Sequence, residues 1–225
     1  MDKVYKKLDA LLKKHKSVLS CIDEVENLKG TLSGEELTKF VNTVRGIVQE
    51  EAKQAVIKNN GGMIAMATGS GKSRVAVELA KYYYNPLDDY NVALLVPTEK
   101  LRDENWQEEF EKWEAKNVWR GTERLCYASA SKIKDCDFPI VILDEGHNIT
   151  ELSSEFFSNN KVERTVLLTA TPPSDPVKKE ILKSLGINLV YELTLDQAVR
   201  LGFVAPYKIT VVSVALDNTT KNIPG

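Results

Sequence analysis

The stretch Gly62-Met63-Ile64-Ala65-Met66-Ala67-Thr68-Gly69-Ser70-Gly71-Lys72-Ser73 decides the fold. A short apolar run ends in a Gly-x-Gly-Lys-Ser turn, and an amphipathic segment from Arg74 to Tyr84 follows. Strand, glycine turn and helix, in that order, are what a phosphate-binding loop requires. The glycines let backbone N–H groups close around an anion, and the helix N-terminus adds its partial positive charge. Thr68, Gly69, Ser70, Gly71, Lys72 and Ser73 are the expected cradle, with Lys72 reaching the terminal phosphates and the Ser73 hydroxyl ligating Mg²⁺. The full pattern has a glycine five residues before Gly71, where this chain has Met66. A plain glycine-rich turn with a surface lysine is the competing reading. Lys and Ser directly after the last glycine favour the phosphate loop.

Outward from this stretch the chain alternates strand and helix. Apolar β-like runs fall at 63–67, 91–96, 124–128, 138–143, 165–169 and 207–215, and helical patterns at 73–84, 99–116, 150–157, 175–185 and 194–201. Val92 to Val96, Ile140 to Leu143 and Val166 to Leu168 are continuous apolar runs. Such runs belong to a parallel sheet covered by helices on both faces. The expected fold is α/β, a doubly wound, mainly parallel sheet whose ligands bind at the carboxyl ends of the strands.

Residues 1 to about 60 read differently. Val4, Leu8, Leu11, His15, Val18, Ile22 and Val25 step by four and three, a heptad-like stripe that stops near Lys29-Gly30. Ser33 with Glu36 then forms a capping-box signature, and Leu37, Phe40, Val41, Val44 and Val48 continue at helical spacing. Two helices packed as a hairpin are expected, with an oligomerisation coil as the alternative. His15 has no acidic or cysteine partner at ligand spacing.

The net charge of −2 gives no global basic footprint for nucleic acid. Three cysteines without a C-x-x-C spacing argue against a disulfide framework or zinc site and fit a reducing cytosol. No run approaches the roughly 18 apolar residues of a membrane span, and the N-terminus lacks a signal-peptide core. A soluble, cytoplasmic protein with no membrane partner is expected.

Two further strand ends carry chemistry. Pro139-Ile140-Val141-Ile142-Leu143 runs into Asp144-Glu145-Gly146-His147. Asp144 there can hold the Mg²⁺ of a neighbouring phosphate loop, and Glu145 can orient and deprotonate an attacking water. Val166-Leu167-Leu168 ends in Thr169-Ala170-Thr171-Pro172-Pro173, whose hydroxyls can bond toward Glu145 and His147 and sense the nucleotide state. Trp106 and Trp113, seven apart, read as core-facing and not as base-stacking platforms.

Met66 to Ser73, Asp144-Glu145-Gly146-His147 and Thr169-Ala170-Thr171-Pro172 resemble motifs I, II and III of superfamily 2 helicases and translocases. The nearest likeness is to the DExH branch with type III restriction-enzyme motor subunits and phage-type DNA helicases. Leu95-Val96-Pro97-Thr98, with Leu101 and Trp106, resembles motif Ia, and Tyr127-Ala128-Ser129 with Lys132 falls where motif Ib lies. The resemblance spans about residues 45–216 and implies a RecA-like domain that couples ATP hydrolysis to movement on nucleic acid, DNA or RNA. It implies ATP and Mg²⁺ as cofactors and Lys72, Asp144, Glu145 and His147 as catalytic residues. Gln49 stands about where the family reads adenine, although Arg45 lies one residue off the family spacing. Thr169 and Thr171 are the implied coupling residues, and Pro97, Thr98, Lys100, Ser129 and Lys132 the implied nucleic-acid contacts.

The family completes its site with an arginine from a second RecA-like domain, an effect worth about 10³ or more in rate. Arg200 is the one arginine after Thr171, and its Leu-Asp-Gln-Ala-Val-Arg-Leu-Gly context does not resemble that motif. The expected organisation is a helical extension at 1–44, a first motor domain at 45–216 and the start of a linker at 217–225. Such a chain is nearly inactive without a second domain in cis or a partner in trans. A self-contained nucleotide-binding interaction module remains the alternative. A small-molecule kinase leaves the second and third motifs without a joint role.

Overall fold

The computed structural model describes residues 2–87 and 92–207. The strand expected at 207–215 and the linker expected at 217–225 lie outside the described residues, apart from Tyr207. The chain begins with α1 (Asp2–His15), a single 3₁₀ turn at Leu19–Cys21, α2 (Ile22–Gly30) and the long α3 (Gly34–Asn59). Then come β1 (Gly62–Met66), α4 (Lys72–Tyr83), β2 (Val92–Val96), a π-helical turn at Leu101–Asn105, α5 (Trp106–Lys112) and α6 (Lys116–Arg120). Next are β3 (Thr122–Cys126), a 3₁₀ segment at Tyr127–Lys132, β4 (Asp137–Phe138), β5 (Ile140–Leu143) and a 3₁₀ turn at Gly146–Asn148. The last elements are α7 (Glu151–Asn159), β6 (Lys161–Val162), β7 (Thr165–Thr169), α8 (Pro176–Ser184), β8 (Leu189–Leu193) and α9 (Leu195–Leu201).

Six strands form one sheet in the order β3-β2-β5-β7-β1-β8, with every pairing parallel. The continuous apolar strands divide their side chains between two cores, because successive Cβ atoms point to opposite faces. Ile64, Met66, Leu94, Ile142 and Leu168 face one cluster with the N-terminal helices, while Met63, Leu95, Leu143 and Leu167 face the other beneath α7 and α8. The doubly wound parallel fold expected from the sequence is present.

The N-terminal stripe packs within the molecule. Leu8, Val18, Cys21 and Val25 are buried in the same cluster as the sheet residues Ile64 and Val92. Polar ties reinforce this: Glu51 of α3 accepts the Val18 N–H at 2.7 Å and the Tyr191 hydroxyl at 3.2 Å. Burial pushes the Glu51 carboxyl up, against the pull of both donors. Arg200 of α9 reaches Asp23 and, at 2.7 Å, Glu26, and Lys29 donates to the Arg200 carbonyl. Helix α3 runs unbroken across the 44/45 division expected from the family resemblance.

Several local expectations need correction. The heptad stripe is not one helix, because Lys16 turns left-handed (φ 66°) and the chain restarts as α2. Three helices therefore precede β1, not two. Ser33 starts α3 but its side chain makes no cap hydrogen bond. The boxes that do form are Thr150 with Ser153 and Thr194 with Gln197. The helix expected over 99–116 opens with a π turn and stops at Glu114 (φ 55°), after which α6 begins. Residues 127 and 128 are 3₁₀, not strand. Strand β8 was not anticipated: it pairs with β1 at the sheet edge, and only Leu193 of its five residues is buried.

Candidate functional site

The ends of β1, β5 and β7 meet at one edge of the sheet, with β7 between the other two. After β1 the chain closes the glycine loop that the sequence marks as a candidate for binding phosphate. Gly69 (φ 81°) and Gly71 (φ 94°) occupy backbone regions that L side chains avoid. A Cβ on Gly71 would also lie 2.1 Å from Gln49 Nε2. Gln49, buried on α3, donates to the Ser70 carbonyl at 3.0 Å and accepts from Arg74 Nη1 at 2.9 Å. Its amide thus fixes the back of the loop and the first turn of α4 together. Lys72 Nζ donates to the Met66 carbonyl at 3.0 Å, folding its amine over the loop. Burial lowers the Lys72 pKa, and the nearby Glu145 and Asp144 charges oppose that shift.

At the end of β5, Asp144 is held from three sides. Its N–H donates to the Leu95 carbonyl at 2.9 Å, which extends the β2–β5 pairing by one residue. Its carboxylate accepts the Trp106 indole N–H at 2.8 Å, and its carbonyl accepts the Tyr127 hydroxyl at 2.9 Å. Burial raises the Asp144 pKa; the Trp106 hydrogen bond pulls it down and the Glu145 charge adds to the rise. Glu145 sits in the left-handed region (φ 45°), a conformation that costs a non-glycine residue about 1–2 kcal/mol. Such strain persists where the surroundings fix it, commonly at functional sites. Here the Glu145 carbonyl accepts from both the backbone and the side chain of Asn148, each at 2.9 Å. Gly146 then leaves no room for a side chain, because an added Cβ would stand 2.2 Å from Leu167 Cγ.

His147 joins the second and third strand ends. Its Nδ1 lies 3.3 Å from Glu145 Oε2 and 3.5 Å from Thr169 Oγ1, and it donates toward them in the forms that carry a proton on Nδ1. Thr169, fully buried, donates to the Thr171 carbonyl at 2.7 Å and accepts the Thr171 N–H at 3.2 Å. Thr171 therefore enters through its backbone.

A cleft of about 840 Å³ opens over the loop and is lined by Gln49, Thr68, Gly69, Gly71, Lys72, Ser73, Asp144 and Glu145. A hydroxyl and a carboxylate flanking a phosphate cradle suit Mg²⁺, which takes one or two protein ligands and fills its shell with phosphate and water oxygens. Among the described residues no group of three or more His, Cys, Asp or Glu forms an all-protein metal cage.

Residues 35–174, more than half of the chain, match the family model of the type III restriction enzyme res subunit. The chain belongs to this family. Its fold is that of the first RecA-like domain of superfamily 2 helicases. The chain is 26% identical over 190 residues to the DNA 3'-5' translocase XPB2 of Sulfurisphaera tokodaii, covering 77% of this chain and 41% of the relative. It thus spans under half the length of that protein. Among solved structures it resembles the UvsW helicase of bacteriophage T4 (TM-score 0.52, 16% identity, 65% of this chain and 58% of that one). It also resembles the Pyrococcus furiosus Hef helicase domain (TM-score 0.50, 20% identity, 66% of this chain and 37% of that one). At these identities the likeness is one of fold.

In this member of the family the remaining candidates lie beside the cleft, not in it. Pro97 and Thr98 follow β2, with Thr98 and Lys100 exposed at the start of the π turn. Ser129 and exposed Lys132 lie on the 3₁₀ segment after β3, where the Ser129 hydroxyl donates to the Cys126 carbonyl at 3.2 Å. Both segments share the carboxyl edge of the sheet with the phosphate loop. Reasoning from sequence missed four groups. Trp106 is core-facing as expected (3% exposed), yet its N–H is on Asp144. Trp113 packs half-buried against the same core, and its ring also lines the cleft wall with the Arg74 guanidinium 4.4 Å from its centroid. Arg74 carried no motif signal, and Tyr127 stood in the stretch resembling motif Ib without a role of its own. Among the described residues no helix is long and apolar enough to cross a membrane.

Proposed function

We propose that this chain is the ATP-binding half of a DNA helicase or translocase, coupling Mg·ATP hydrolysis to movement along nucleic acid. The observation that carries the reading is the convergence of Lys72, Ser73, Asp144 and Glu145 on one cleft, at the edge that also bears the Thr98–Lys100 and Ser129–Lys132 segments. Bound Mg·ATP supplies the phosphoanhydride bond whose cleavage drives the motor. The Lys72 amine, leaving the Met66 carbonyl, neutralises phosphate oxygens, while Ser73 and Asp144 hold the metal. Glu145 orients the attacking water and takes its proton. His147 and Thr169 link that base to the end of β7, and Gln49 reads the base from the α3 side. Pro97, Thr98, Lys100, Ser129 and Lys132 contact the nucleic-acid backbone. In this reading residues 1–44 extend the 45–216 motor domain, 217–225 begin a linker, and a second RecA-like domain supplies the catalytic arginine. Turnover by the chain alone is correspondingly slow.

The interaction-module reading needs a free heptad surface, and Leu8, Val18 and Val25 are each no more than 1% exposed. The motor reading is tested by titrating the chain with Mg·ADP and, separately, with a single-stranded oligonucleotide at several salt concentrations. The wild type binds nucleotide only with Mg²⁺ and binds DNA with an affinity that falls steeply with salt. Lys72→Ala loses the first property and keeps the second. Nucleotide affinity that survives this substitution, or salt-independent DNA binding, refutes the assignment.

A further inference from the structure

Asp144 is the point at which both candidate nucleic-acid segments touch the nucleotide site. The first segment follows β2. Thr98 accepts the Leu101 N–H through its hydroxyl at 3.4 Å and the Arg102 N–H through its carbonyl at 3.1 Å. These contacts open the π turn Leu101–Asn105, and the next residue, Trp106, delivers its indole N–H to the Asp144 carboxylate at 2.8 Å. The second segment follows β3. It begins with Tyr127, whose hydroxyl donates to the Asp144 carbonyl at 2.9 Å, and continues through Ser129 to Lys132. Thr98 and Lys100 in the first segment and Lys132 in the second are open to solvent, whereas Trp106 and Tyr127 are 3% and 6% exposed.

We propose that Trp106 and Tyr127 are positioning residues that carry nucleic-acid occupancy of the 98–105 and 128–132 segments to Asp144, setting how well Asp144 holds the nucleotide's metal. The inference rests on the motor reading above. Trp106 acts on the carboxylate itself, and Tyr127 on the backbone that aims it. The two inputs are chemically independent and come from different strands. Trp106 cannot drift alone, because its ring packs on Phe110 at 6.2 Å and Phe110 on Trp119 at 5.1 Å. A shift of its segment therefore moves the indole N–H relative to Asp144. A π turn is a place for such a shift, since its hydrogen-bond register differs from the α-helix that follows and such turns occur frequently at functional sites. Coupling between two sites is reciprocal, so DNA that tightens Mg·nucleotide is itself tightened by Mg·nucleotide to the same factor.

The test measures that factor on the whole chain: the ratio of Mg·ADP dissociation constants without and with a saturating single-stranded oligonucleotide. The wild type is expected within the usual range of about 5–150. Trp106→Phe and Tyr127→Phe each keep a ring and remove one donor. Each moves the ratio toward one and raises the Mg²⁺ concentration needed for half-maximal nucleotide binding, while oligonucleotide affinity without nucleotide stays as in the wild type. A residue that only supports the fold lowers the melting temperature and leaves the ratio alone. Should Trp106→Phe fold poorly, Tyr127→Phe carries the test by itself, because it leaves the carboxylate and the aromatic stack untouched. Unchanged ratios in the folded variants overturn the inference. So does a wild-type ratio of one with both ligands bound, and the motor reading then survives. A wild type that binds neither Mg·ADP nor DNA overturns the motor reading instead.

Discussion

Leu8→Ala asks whether the N-terminal helices are part of the motor core or merely lie on it. Leu8 is 1% exposed, and its helix reaches α3 through the Tyr5–Phe40 ring contact at 6.2 Å. The cluster that holds Leu8 also holds Val44, Val48, Ile64 and Trp119, so it is continuous along one face of the sheet from α1 to α6. Truncating a buried leucine to alanine costs about 2–5 kcal/mol, less where neighbours relax into the gap. Helix α1 is near a chain end and can settle, which places the expected loss at about 2–3 kcal/mol. At about 2–4 °C per kcal/mol for a chain of this length, the melting midpoint falls by about 4–12 °C. Urea unfolding followed by tryptophan fluorescence suits the question, because Trp106, Trp113 and Trp119 all lie in or next to α5 and α6. Leu152→Ala, 54% exposed on α7, serves as the control and stays within about 0.5 kcal/mol of the wild type. If the tryptophan transition of Leu8→Ala matches the wild type, α1 frays on its own and the continuous core is wrong. A midpoint that depends on protein concentration would instead restore the oligomerisation coil.

Two further substitutions probe the second motif. Asp144→Asn keeps an oxygen for Trp106 and removes a charge that burial, aided by Glu145, disfavours. Because the folded pKa is raised, the wild type keeps its full stability below the ordinary aspartate value and loses part of it as pH rises through the folded value. The variant therefore melts higher at pH 7, and its advantage fades on acidification; a pH series of melting curves showing no gain at pH 7 contradicts the burial argument. Gly146→Ala drives a methyl to within 2.2 Å of Leu167 Cγ and is expected to cost about 1–3 kcal/mol in chemical denaturation. In a Leu167→Ala background the added cost shrinks, and full additivity of the two substitutions denies the contact.

The readable part of this chain is the part whose signal is local. Val92–Val96 and Ile140–Leu143 are buried on every residue, so a continuous apolar run was enough to mark them as inner parallel strands. The edge strand Leu189–Leu193 has one neighbour and one buried residue, so its pattern resembles a loop. Lys16 and Glu114 break helices by turning left-handed, and neither residue type announces such a turn as glycine does. The glycine loop, the acids and the threonines were legible as candidates because each is a short motif at the end of a strand, where parallel sheets gather ligand sites.

What surrounds Asp144 has a different origin. Trp106 is 38 residues away and Tyr127 is 17, and neither separation has any period that a scan along the chain can detect. Their meeting follows from the strand order β3-β2-β5. Since β2 is the immediate neighbour of β5, the segment leaving β2 must pass over the end of β5, and the Asp144 N–H already bonds to Leu95 across that boundary. The segment leaving β3 is one strand further out, and it takes a side chain as long as tyrosine to span the gap to the Asp144 carbonyl. Size and reach thus explain why a tryptophan serves the near segment through a side-chain contact and a tyrosine the far one through a backbone contact. Shortening either group, even to another apolar residue that fills the same core, separates the acid from one of its two segments while leaving the motif itself intact.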